Sequence, residues 1–376
     1  MKALIKWPGG KSSEIVHIEK IIPNFNRYIE PFFGGGALFF DLMPQKAIIN
    51  DISENLMLFY KLIQDENIQF KELLILLDQT WTDYINIIRQ NTEGIKLHYL
   101  SYRNNNISNY EMNNLLDKEI NKVFLESKSI LSERIILDWP GLLIEIRRMV
   151  MDKIKRTKEN EIKKQKHLSL EDLSDNILTG FTSGLYMHFR NIYNEINATK
   201  KLNICVEYRL ANFYFIREYC YGSMFRYNAK GEFNIPYGGI SYNKKNLTRK
   251  IETIFSTKTV CLLKNTEIHS LDFEDFFSKI SLNDDDFIFL DPPYDTDFSD
   301  YEGNSFAQAD QRRLAEILLK INAKFILIIK NTEFIYSLYN QTGLNILTFD
   351  NTYIYNVRSR NNRDVEHLII TNIATN

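Results

Sequence analysis

The chain of 376 residues is long enough for one large domain, or for a core domain with a smaller one. Hydrophobic residues make up 44% of it and charged residues 25%, which excludes global disorder. Three scattered cysteines without ligand spacing support neither a disulfide framework nor a metal site. The N-terminus lacks a signal-peptide core and no apolar run reaches about 18 residues. We therefore expect a cytoplasmic protein without a membrane partner.

The formal net charge of -2 is low for a protein that binds nucleic acid. Charge is nevertheless uneven along the chain, with basic segments KIKRTKENEIKKQK and KKNLTRK and acidic segments LNDDDF and DTDFSD. The composition therefore leaves local basic surfaces open, although solvated helix faces and loops would give the same pattern.

Short apolar, β-branched runs that end at polar or Gly/Pro residues predict strands. In chain order these runs are NRYIEPF, KAIIND, TVCLLKN, DFIFLDPP and KFILIIKN, with helical stretches such as ENLMLFYKLIQ and QADQRRLAEILLKI between them. The alternation of strands and helices predicts a parallel α/β sheet. NILTFD, TYIYNV and EHLIITNI then follow one another with only turns between them, which predicts an antiparallel C-terminal edge.

The α/β alternation stops between about Asp65 and Arg217, where long helical patterns take over. Because this block interrupts the series, we interpret it as an inserted, mainly helical domain. The predicted division is residues 1–64 with 246–376 for the sheet domain, and residues 65–245 for the insertion and the loops that follow it.

A glycine-rich turn, in YIEPFFGGGALFF, follows the first predicted strand. Glycine lets a backbone approach a ligand closely, and a helix N-terminus favours carboxylate or phosphate groups. Gly34 and Gly36 fit the start of the dinucleotide-binding pattern, but Phe39 stands where its third glycine would be. The turn predicts a ligand site at Gly34 and Gly36; a turn that needs glycine only for its backbone is the alternative.

Asp51 ends the second predicted strand. An acid at this place in a nucleotide-binding α/β unit can accept hydrogen bonds from both ribose hydroxyls. Alternatively, Asp51 caps the following helix and Glu54 completes a capping box. The nearby glycine turn favours the ribose interpretation.

Asp291 follows the predicted strand DFIFL, and a doubly wound sheet would place it in the same crevice as the glycine turn. Pro292 and Pro293 come next; each ring fixes φ at about −65° and removes an N–H, which leaves carbonyls of fixed direction. A carboxylate beside such a carbonyl suits an NH2 group, and Tyr294 offers a flat face for stacking. Two acceptors would concentrate the lone pair of a nucleobase amine for attack on an electrophile. A turn without chemistry is the alternative.

Five segments, in this order, resemble the Dam-type, α-group (D12 class) DNA adenine-N6 methyltransferases: IKWPGGK, EPFFGGG, NDISENLMLFY, FRYNAKGEFNIPYG and DPPY. The resemblance implies a Rossmann-like methyltransferase sheet and an inserted, mainly helical DNA-recognition domain. It implies S-adenosyl-L-methionine as methyl donor, no metal, and double-stranded DNA as substrate. A base inside a duplex cannot reach such a pocket, so base flipping is implied as well.

The same resemblance assigns residues to the cofactor and to catalysis. Trp7 and Lys11 would contact the cofactor together with Gly34 and Gly36, Asp51 would bind its ribose, and Asp291 would lie between cofactor and target base. The catalytic motif would be Asp291, Pro292, Pro293 and Tyr294: the Asp291 side chain and the Pro292 carbonyl accept from the amino group, and Tyr294 stacks on the flipped base.

DNA contacts are implied for five further residues. Arg226 matches a position that reads guanine, and its guanidinium fork suits the O6/N7 edge in the major groove. Lys6 and Tyr221 match other DNA-contacting positions, and Lys244 and Lys245 lie where contacts to the DNA backbone are expected. A surface salt bridge is the alternative for Arg226.

Two departures from the family pattern affect the target site. The insertion is longer than in the compact GATC-methylating members, and EYCYGSMFRYN lacks the Asn-Gly pair usual before the arginine, with Met224 in place of leucine. A GATC or GATC-like site is thus an extension of the resemblance, as is a cognate restriction endonuclease acting on the same site.

Other activities fit the same residues less well. Cytosine-C5 methylation needs a cysteine, typically after proline, and none of the eight prolines precedes one. Cytosine-N4 and protein-glutamine enzymes use related motifs that usually begin with Ser or Asn. Intact Asp51 and Asp291 disfavour a DNA-binding module without catalysis. Residues 65–217 contain no proline before an acid, which disfavours a nuclease in the insertion.

Overall fold

The chain folds into two compact units in the computed structural model, which describes residues 1–9, 15–293, 306–340, 343–352 and 364–374. One unit combines Met1–Glu66 with Ser256–Asn376 and holds the sheet. The other, Asn67–Phe255, is mainly helical and is inserted between the two parts of the first. We call them the sheet unit and the helical unit.

The sheet unit is built on a seven-stranded sheet in the order β3-β2-β1-β4-β5-β7-β6. The strands are β1 Arg27–Glu30, β2 Ala47–Asn50, β3 Thr266–His269, β4 Asp286–Leu290, β5 Lys324–Lys330, β6 Asn345–Thr352 and β7 Asp364–Thr371. Strands β1 to β5 pair in parallel, whereas β7 is antiparallel to both β5 and β6. The predicted α/β class with an antiparallel C-terminal edge is confirmed.

Thirteen α-helices lie in the described part of the chain. They are α1 Ile15–Ile18, α2 Ala37–Leu42, α3 Glu54–Gln64, α4 Ile68–Arg103, α5 Asn109–Ile130, α6 Trp139–Lys164, α7 Leu170–Asn197, α8 Val206–Tyr219, α9 Thr248–Ile254, α10 Thr257–Lys264, α11 Phe273–Lys279, α12 Gln308–Leu318 and α13 Glu333–Tyr339. Helices α4 to α9 form the helical unit. Over the described residues, no helix has both the length and the apolar character that crossing a membrane requires.

The continuous apolar runs of the central strands explain why the sheet is parallel. Every residue of β2 and of β4 is buried, as expected for strands covered on both faces. Their side chains join one core cluster with residues of β5, β7, α11 and α12, among them Ile288, Leu327, Ile370 and Leu314. This core fixes the carboxyl ends of β1, β2 and β4 side by side.

One predicted strand is wrong. The segment TVCLLKN, residues 259–265, lies mostly in helix α10, whose N-terminus is capped by Ser256: its Oγ accepts from Thr259 N at 3.3 Å. Strand β3 begins directly afterwards at Thr266. A short apolar run does not distinguish a buried helix from a strand, and here the cap and the burial of Val260 and Leu263 decide for the helix. Of TYIYNV only Thr352 lies in β6; the rest is outside the described residues.

The helices of the helical unit pack around a buried aromatic core. The Trp81 ring lies 4.3 Å from that of Tyr219, measured between centroids, and Tyr219 lies 4.6 Å from Phe215. The unit extends to Phe255 rather than ending at residue 245. The reason is Asp78 of α4, whose carboxylate accepts from Leu247 N at 2.6 Å and so attaches the start of α9 to the helical unit.

Candidate active site

A pocket opens in the sheet unit at the carboxyl ends of β1, β2 and β4. Its lining includes Trp7, Glu30, Gly34, Asp51 and Asp291, which come from four separate segments of the sequence. Parallel strands bring their carboxyl ends to one edge of a sheet, and ligands of open α/β sheets bind there. The predicted cofactor residues in the described part of the chain thus share one cavity; Lys11 lies outside the described residues.

The glycine turn needs glycine for its backbone and for its packing. Gly34 and Gly36 have φ of 51° and 64°, a left-handed conformation that side chains disfavour. A Cβ on Gly34 would lie 2.9 Å from Cδ1 of Trp7, and one on Gly36 would lie 2.4 Å from Cζ of Phe33. The absence of side chains here lets Trp7 cover the turn while both glycines still line the pocket.

Asp51 joins the glycine turn to the end of β2. One carboxylate oxygen accepts from Gly34 N at 2.8 Å and the other from Ser53 N at 2.9 Å. Ser53, not Asp51, occupies the N-cap position of α3, and no side-chain cap is formed there. The capping-box alternative with Glu54 is therefore not what the structure contains. Burial raises the pKa of Asp51, and the two backbone N–H donors act against that rise.

Glu30, at the end of β1, is a pocket residue that the sequence reasoning missed. It is only 3% exposed, and its Oε2 accepts from the Tyr28 hydroxyl at 2.8 Å. Burial raises the pKa of Glu30 well above its ordinary value, the Tyr28 bond opposes the rise, and the nearby charges of Asp291 and Asp51 add to it. The signal that could have found it is an acid closing a buried strand immediately before the glycine turn.

Asn50 is the second missed residue. It is buried, donates to the carbonyls of Pro31 and Leu271 at 3.0 Å each, and accepts from Leu271 N at 2.9 Å. These bonds tie the segments that follow β1 and β3 to the end of β2. An amide is the side chain able to donate twice and accept in one place, which explains the polar residue ahead of Asp51.

The predicted catalytic segment begins at the pocket wall. Asp291, Pro292 and Pro293 all line the cavity directly after β4, and Tyr294 lies outside the described residues. Lys6 precedes Trp7 and is half-buried. Over the described residues, no group of three or more His, Cys, Asp and Glu side chains could hold a metal ion.

The other four predicted DNA contacts lie in the helical unit, two of them on a hairpin of residues 220–237. Isolated bridges join Cys220 to Tyr237 and Tyr227 to Phe233. Two of the predicted residues are exposed on this hairpin, which we call the 220–237 hairpin: Tyr221 is 55% exposed and Arg226 is also exposed.

Arg226 has a defined orientation. Its Nε donates to Oδ1 of Asn234 at 2.9 Å, and Asn234 N donates to the Arg226 carbonyl at 3.1 Å across the hairpin. The bond to Nε holds the side chain in place without using the two terminal nitrogens, which can together make a bidentate contact.

Arg217, near the C-terminal end of α8, holds the hairpin in place through hydrogen bonds. The sequence analysis did not predict this role. It is 1% exposed, and its guanidinium donates to the carbonyls of Met224 at 2.9 Å and Ser223 at 2.5 Å. The same group lies 3.7 Å from the centre of the Phe225 ring. The segment leading to Arg226 is thereby fixed to the helical core.

The two neighbouring lysines predicted to contact DNA differ sharply. Lys244 is exposed, whereas Nζ of Lys245 lies 2.5 Å from Oε2 of the buried Glu218, and Lys250 pairs with the other oxygen at 2.6 Å. Burial alone would raise the pKa of Glu218, but the two ammonium groups outweigh it and lower that pKa. The Lys245 ammonium is thus engaged inside the protein, a competing role that sequence position did not reveal.

Comparison with protein families now identifies the class. The D12 class N6 adenine-specific DNA methyltransferase family matches residues 7–128 and 121–353, which together span most of the chain. The chain therefore belongs to that family and is an adenine-specific DNA methyltransferase.

Individual relatives agree with this class. The chain is 25% identical over 340 residues to the type II methyltransferase M.MjaIII of Methanocaldococcus jannaschii, covering 86% of this chain and 81% of the relative. It is 23% identical over 381 residues to the type II methyltransferase M1.LlaDCHI of Lactococcus lactis subsp. cremoris, covering 99% and 95%. A DNA adenine methylase of Serratia marcescens is 27% identical over 157 residues, covering 39% and 55%.

Replacing Gly36 with alanine should destabilise the protein by about 2–4 kcal/mol, because it combines left-handed strain with a forced displacement of Phe33. Gly231→Ala is the matched control: its φ of 75° is similar, but nothing lies within 4 Å of the added Cβ. Denaturant unfolding of both variants checks the difference. Equal losses would show that the Phe33 contact is easily relieved.

The adjacent lysines offer a second matched pair. Lys245→Met should lower the free energy of unfolding by about 1–3 kcal/mol, because Glu218 loses one of its two partners while buried. Lys244→Met should leave stability unchanged. Thermal unfolding of the two variants decides, and a fully stable Lys245→Met variant would contradict a structural role for that ion pair.

Proposed function

We propose that this protein transfers a methyl group from S-adenosyl-L-methionine to N6 of adenine at a specific site in double-stranded DNA, with the target base flipped out of the helix. One observation carries the proposal: Asp291, Pro292 and Pro293 form part of the wall of the same cavity as the glycine turn, Glu30 and Asp51. A donor site and an acceptor motif in one cavity suit direct transfer between two bound molecules.

The charges around the cavity support a cationic donor. Glu30, Asp51 and Asp291 bring three carboxyl groups to it, and the pKa of Glu30 is raised by burial and then by the charges of the other two. A positively charged ligand would relieve this repulsion and favour the ionised carboxylates. S-adenosyl-L-methionine supplies a methyl group on a cationic sulfur, and the bonding electron pair remains with that sulfur after transfer.

The remaining surfaces fit the rest of the donor. Ile52, Leu271 and Phe273 provide an apolar wall for an adenine ring. Each Asp51 oxygen accepts one backbone N–H in the structure and retains a second lone pair for a ribose hydroxyl. Trp7 covers the glycine turn beside them, and Lys11, outside the described residues, is the further contact that the family pattern predicts.

Asp291 and the Pro292 carbonyl are the proposed acceptors for the two hydrogens of the target amino group. They increase the lone-pair density on N6, which forms the new N–C bond as the methyl carbon leaves sulfur. The methylated nitrogen, positively charged at first, then releases one proton to the Asp291 carboxylate, from which it passes to water. Tyr294 would stack on the flipped adenine, since its side chain follows immediately after the acceptors.

The helical unit is the proposed DNA-recognition domain. The 220–237 hairpin presents an oriented Arg226 for a guanine edge and an exposed Tyr221 for stacking or phosphate contact. Lys244 adds an exposed positive charge for the DNA backbone, and Lys6 is the proposed contact from the sheet unit. We propose a target that contains GATC or a GATC-like sequence, because the segment from Arg226 to Gly238 follows the family pattern.

The biological role we propose is modification within a restriction-modification system, with a cognate endonuclease acting on the same site. Relatives named type II methyltransferases support this proposal. An orphan methylase is the second candidate, supported by the relative named a DNA adenine methylase. The endonuclease is the proposed partner only in the first case.

Replacing Asp291 with alanine should reduce methyl transfer by about 100-fold or more, because the charged acceptor is lost. The assay supplies the purified chain with labelled donor and duplex DNA and identifies the labelled nucleoside. Binding of the donor should persist in part. Label on cytosine, or none with the unaltered chain, would overturn the proposed function, and undiminished turnover of the variant would overturn the acceptor role.

Replacing Arg226 with alanine should cost about 1–3 kcal/mol of discrimination at one guanine position and relax the site there. Lys230→Ala, an exposed cation on the same hairpin, is the control and should weaken all sequences alike. Sequencing of N6-methyladenine in DNA from cells expressing each variant reads the site directly. An unchanged preference in Arg226→Ala would remove the assignment.

A further inference from the structure

Helix α12 reaches back to the proposed catalytic segment through one buried amide. Gln311 is fully buried, and its Nε2 donates to the carbonyl oxygen of Pro293 at 3.1 Å. Its Oε1 is buried and has no hydrogen-bond partner in the described part of the protein. Gln311 belongs to none of the groups assigned above to donor, target base or DNA.

Stability alone does not account for glutamine at this position. Gln311 lies on the buried face of α12 together with Leu314, Ala315 and Leu318, at the spacing that predicts an apolar side chain. Burying an amide in an apolar environment is unfavourable unless its polar atoms are hydrogen-bonded. Polar residues that violate the core pattern are expected where function requires them. The donor to Pro293 is therefore the feature that distinguishes this side chain from the leucine or methionine that packing would favour.

The start of α12 is itself held in place. Arg313 donates to both oxygens of Asp272, at 3.0 and 3.2 Å, and to Oε2 of Glu274 at 2.6 Å. Asp272 is the N-cap residue of α11, so the ion pairs join the N-terminal turns of two helices of the sheet unit. Gln311 thus donates from a fixed support.

The Pro293 ring limits how far the proposed acceptor, the Pro292 carbonyl, can turn relative to the Pro293 carbonyl that Gln311 holds. The Pro292 carbonyl shares its amide plane with the Pro293 nitrogen, and the Pro293 ring restricts φ to about −65 ± 15°. The carbonyl held by Gln311 is therefore separated from the carbonyl proposed to accept the adenine hydrogen by two torsions, the ring-restricted φ and the ψ of Pro293. Without the anchor, rotation about ψ of Pro293 and movement of the whole segment would both be less restricted.

We propose that Gln311 is a positioning residue for methyl transfer, which holds the Pro293 carbonyl and thereby aims the Pro292 carbonyl at the target amino group. The proposal rests on the proposed function. Misplacement of a reacting geometry by about 1 Å can cost about 100-fold in rate, so the anchor should affect turnover far more than binding of the donor.

The sharpest variant is Gln311→Glu. Its carboxylic acid can donate to Pro293 O when protonated, whereas its carboxylate would repel that oxygen. Burial should raise the pKa of the new group above the ordinary glutamate value. Turnover should therefore be near the unaltered level at low pH and fall as pH rises through that raised pKa, by about 10- to 100-fold. The unaltered chain, measured alongside, should lack this descent.

Two further variants test whether the effect depends on the hydrogen-bond donor and on the position of residue 311. Gln311→Met keeps the volume but cannot donate, so its turnover should be low at every pH while its affinity for the donor stays within about threefold, since the donor site is not altered. Gln308→Glu places the same substitution at an exposed position of the same helix and should leave the pH profile unchanged.

A measurement independent of activity is available because only two prolines in the sequence precede tyrosine, Pro236 and Pro293. Labelling proline carbonyls with carbon-13 and tyrosine nitrogens with nitrogen-15 therefore isolates two peptide signals by NMR. In Gln311→Met the Pro293 carbonyl should shift, and in Gln311→Glu it should titrate. Pro236, whose carbonyl accepts from Tyr221 N at 2.8 Å, is the internal reference.

The outcomes separate this proposal from the one it rests on. A titrating Pro293 signal together with pH-dependent turnover in Gln311→Glu supports the positioning role. The positioning role is overturned if the chemical shift of the Pro293 carbonyl is unchanged by the substitutions. It is also overturned if that signal titrates in Gln311→Glu while turnover stays constant. An unaltered chain that transfers no methyl group, with a responsive Pro293 signal, would instead overturn the proposed function while leaving the anchor in place.

Discussion

The site depends on the hydrogen bond from Gly34 N to Asp51, because this bond joins the ends of two neighbouring parallel strands. In the turn that Asp51 holds, Gly34 and Gly36 adopt left-handed conformations and leave room for Trp7 and Phe33. The turn, the acid and the aromatic cover are therefore one structure.

Each unit contains a buried side chain that holds a functional segment in place: the proposed catalytic segment in the sheet unit and the proposed DNA-contacting hairpin in the helical unit. In the sheet unit, Gln311 holds the Pro293 carbonyl, and in the helical unit, Arg217 holds the carbonyls of Ser223 and Met224. Both side chains are almost completely buried and both donate to backbone oxygens. Long donors of this kind restrict a loop without adding contacts of their own to a ligand, which suits segments that must present carbonyls or an arginine in one orientation.

Much of the sheet unit follows from the order of apolar runs and turns. Strands β1, β2, β4 and β5 and helix α3 lie where the sequence predicts them, because long-range burial agrees there with local pattern. The strand prediction for the segment around Val260 is wrong because the local pattern fits both a strand and a buried helix. The N-cap at Ser256 favours the helix. Glu30 was missed although it closes a buried strand directly before the glycine turn, which is the same kind of position that indicated Asp51 at the end of the next strand.

The sequence by itself determined the family motifs, the parallel class of the sheet and the positions of Asp51 and Asp291 at strand ends, since these depend on spacing along the chain. Only the tertiary structure decided which polar groups meet across distant segments. Lys245 reaches Glu218 and Gln311 reaches Pro293 through pairings that neighbouring residues do not encode. Lys244 and Lys245 are adjacent and have the same local chemistry. They differ because Lys245 pairs with the buried carboxylate of Glu218, whereas Lys244 is exposed.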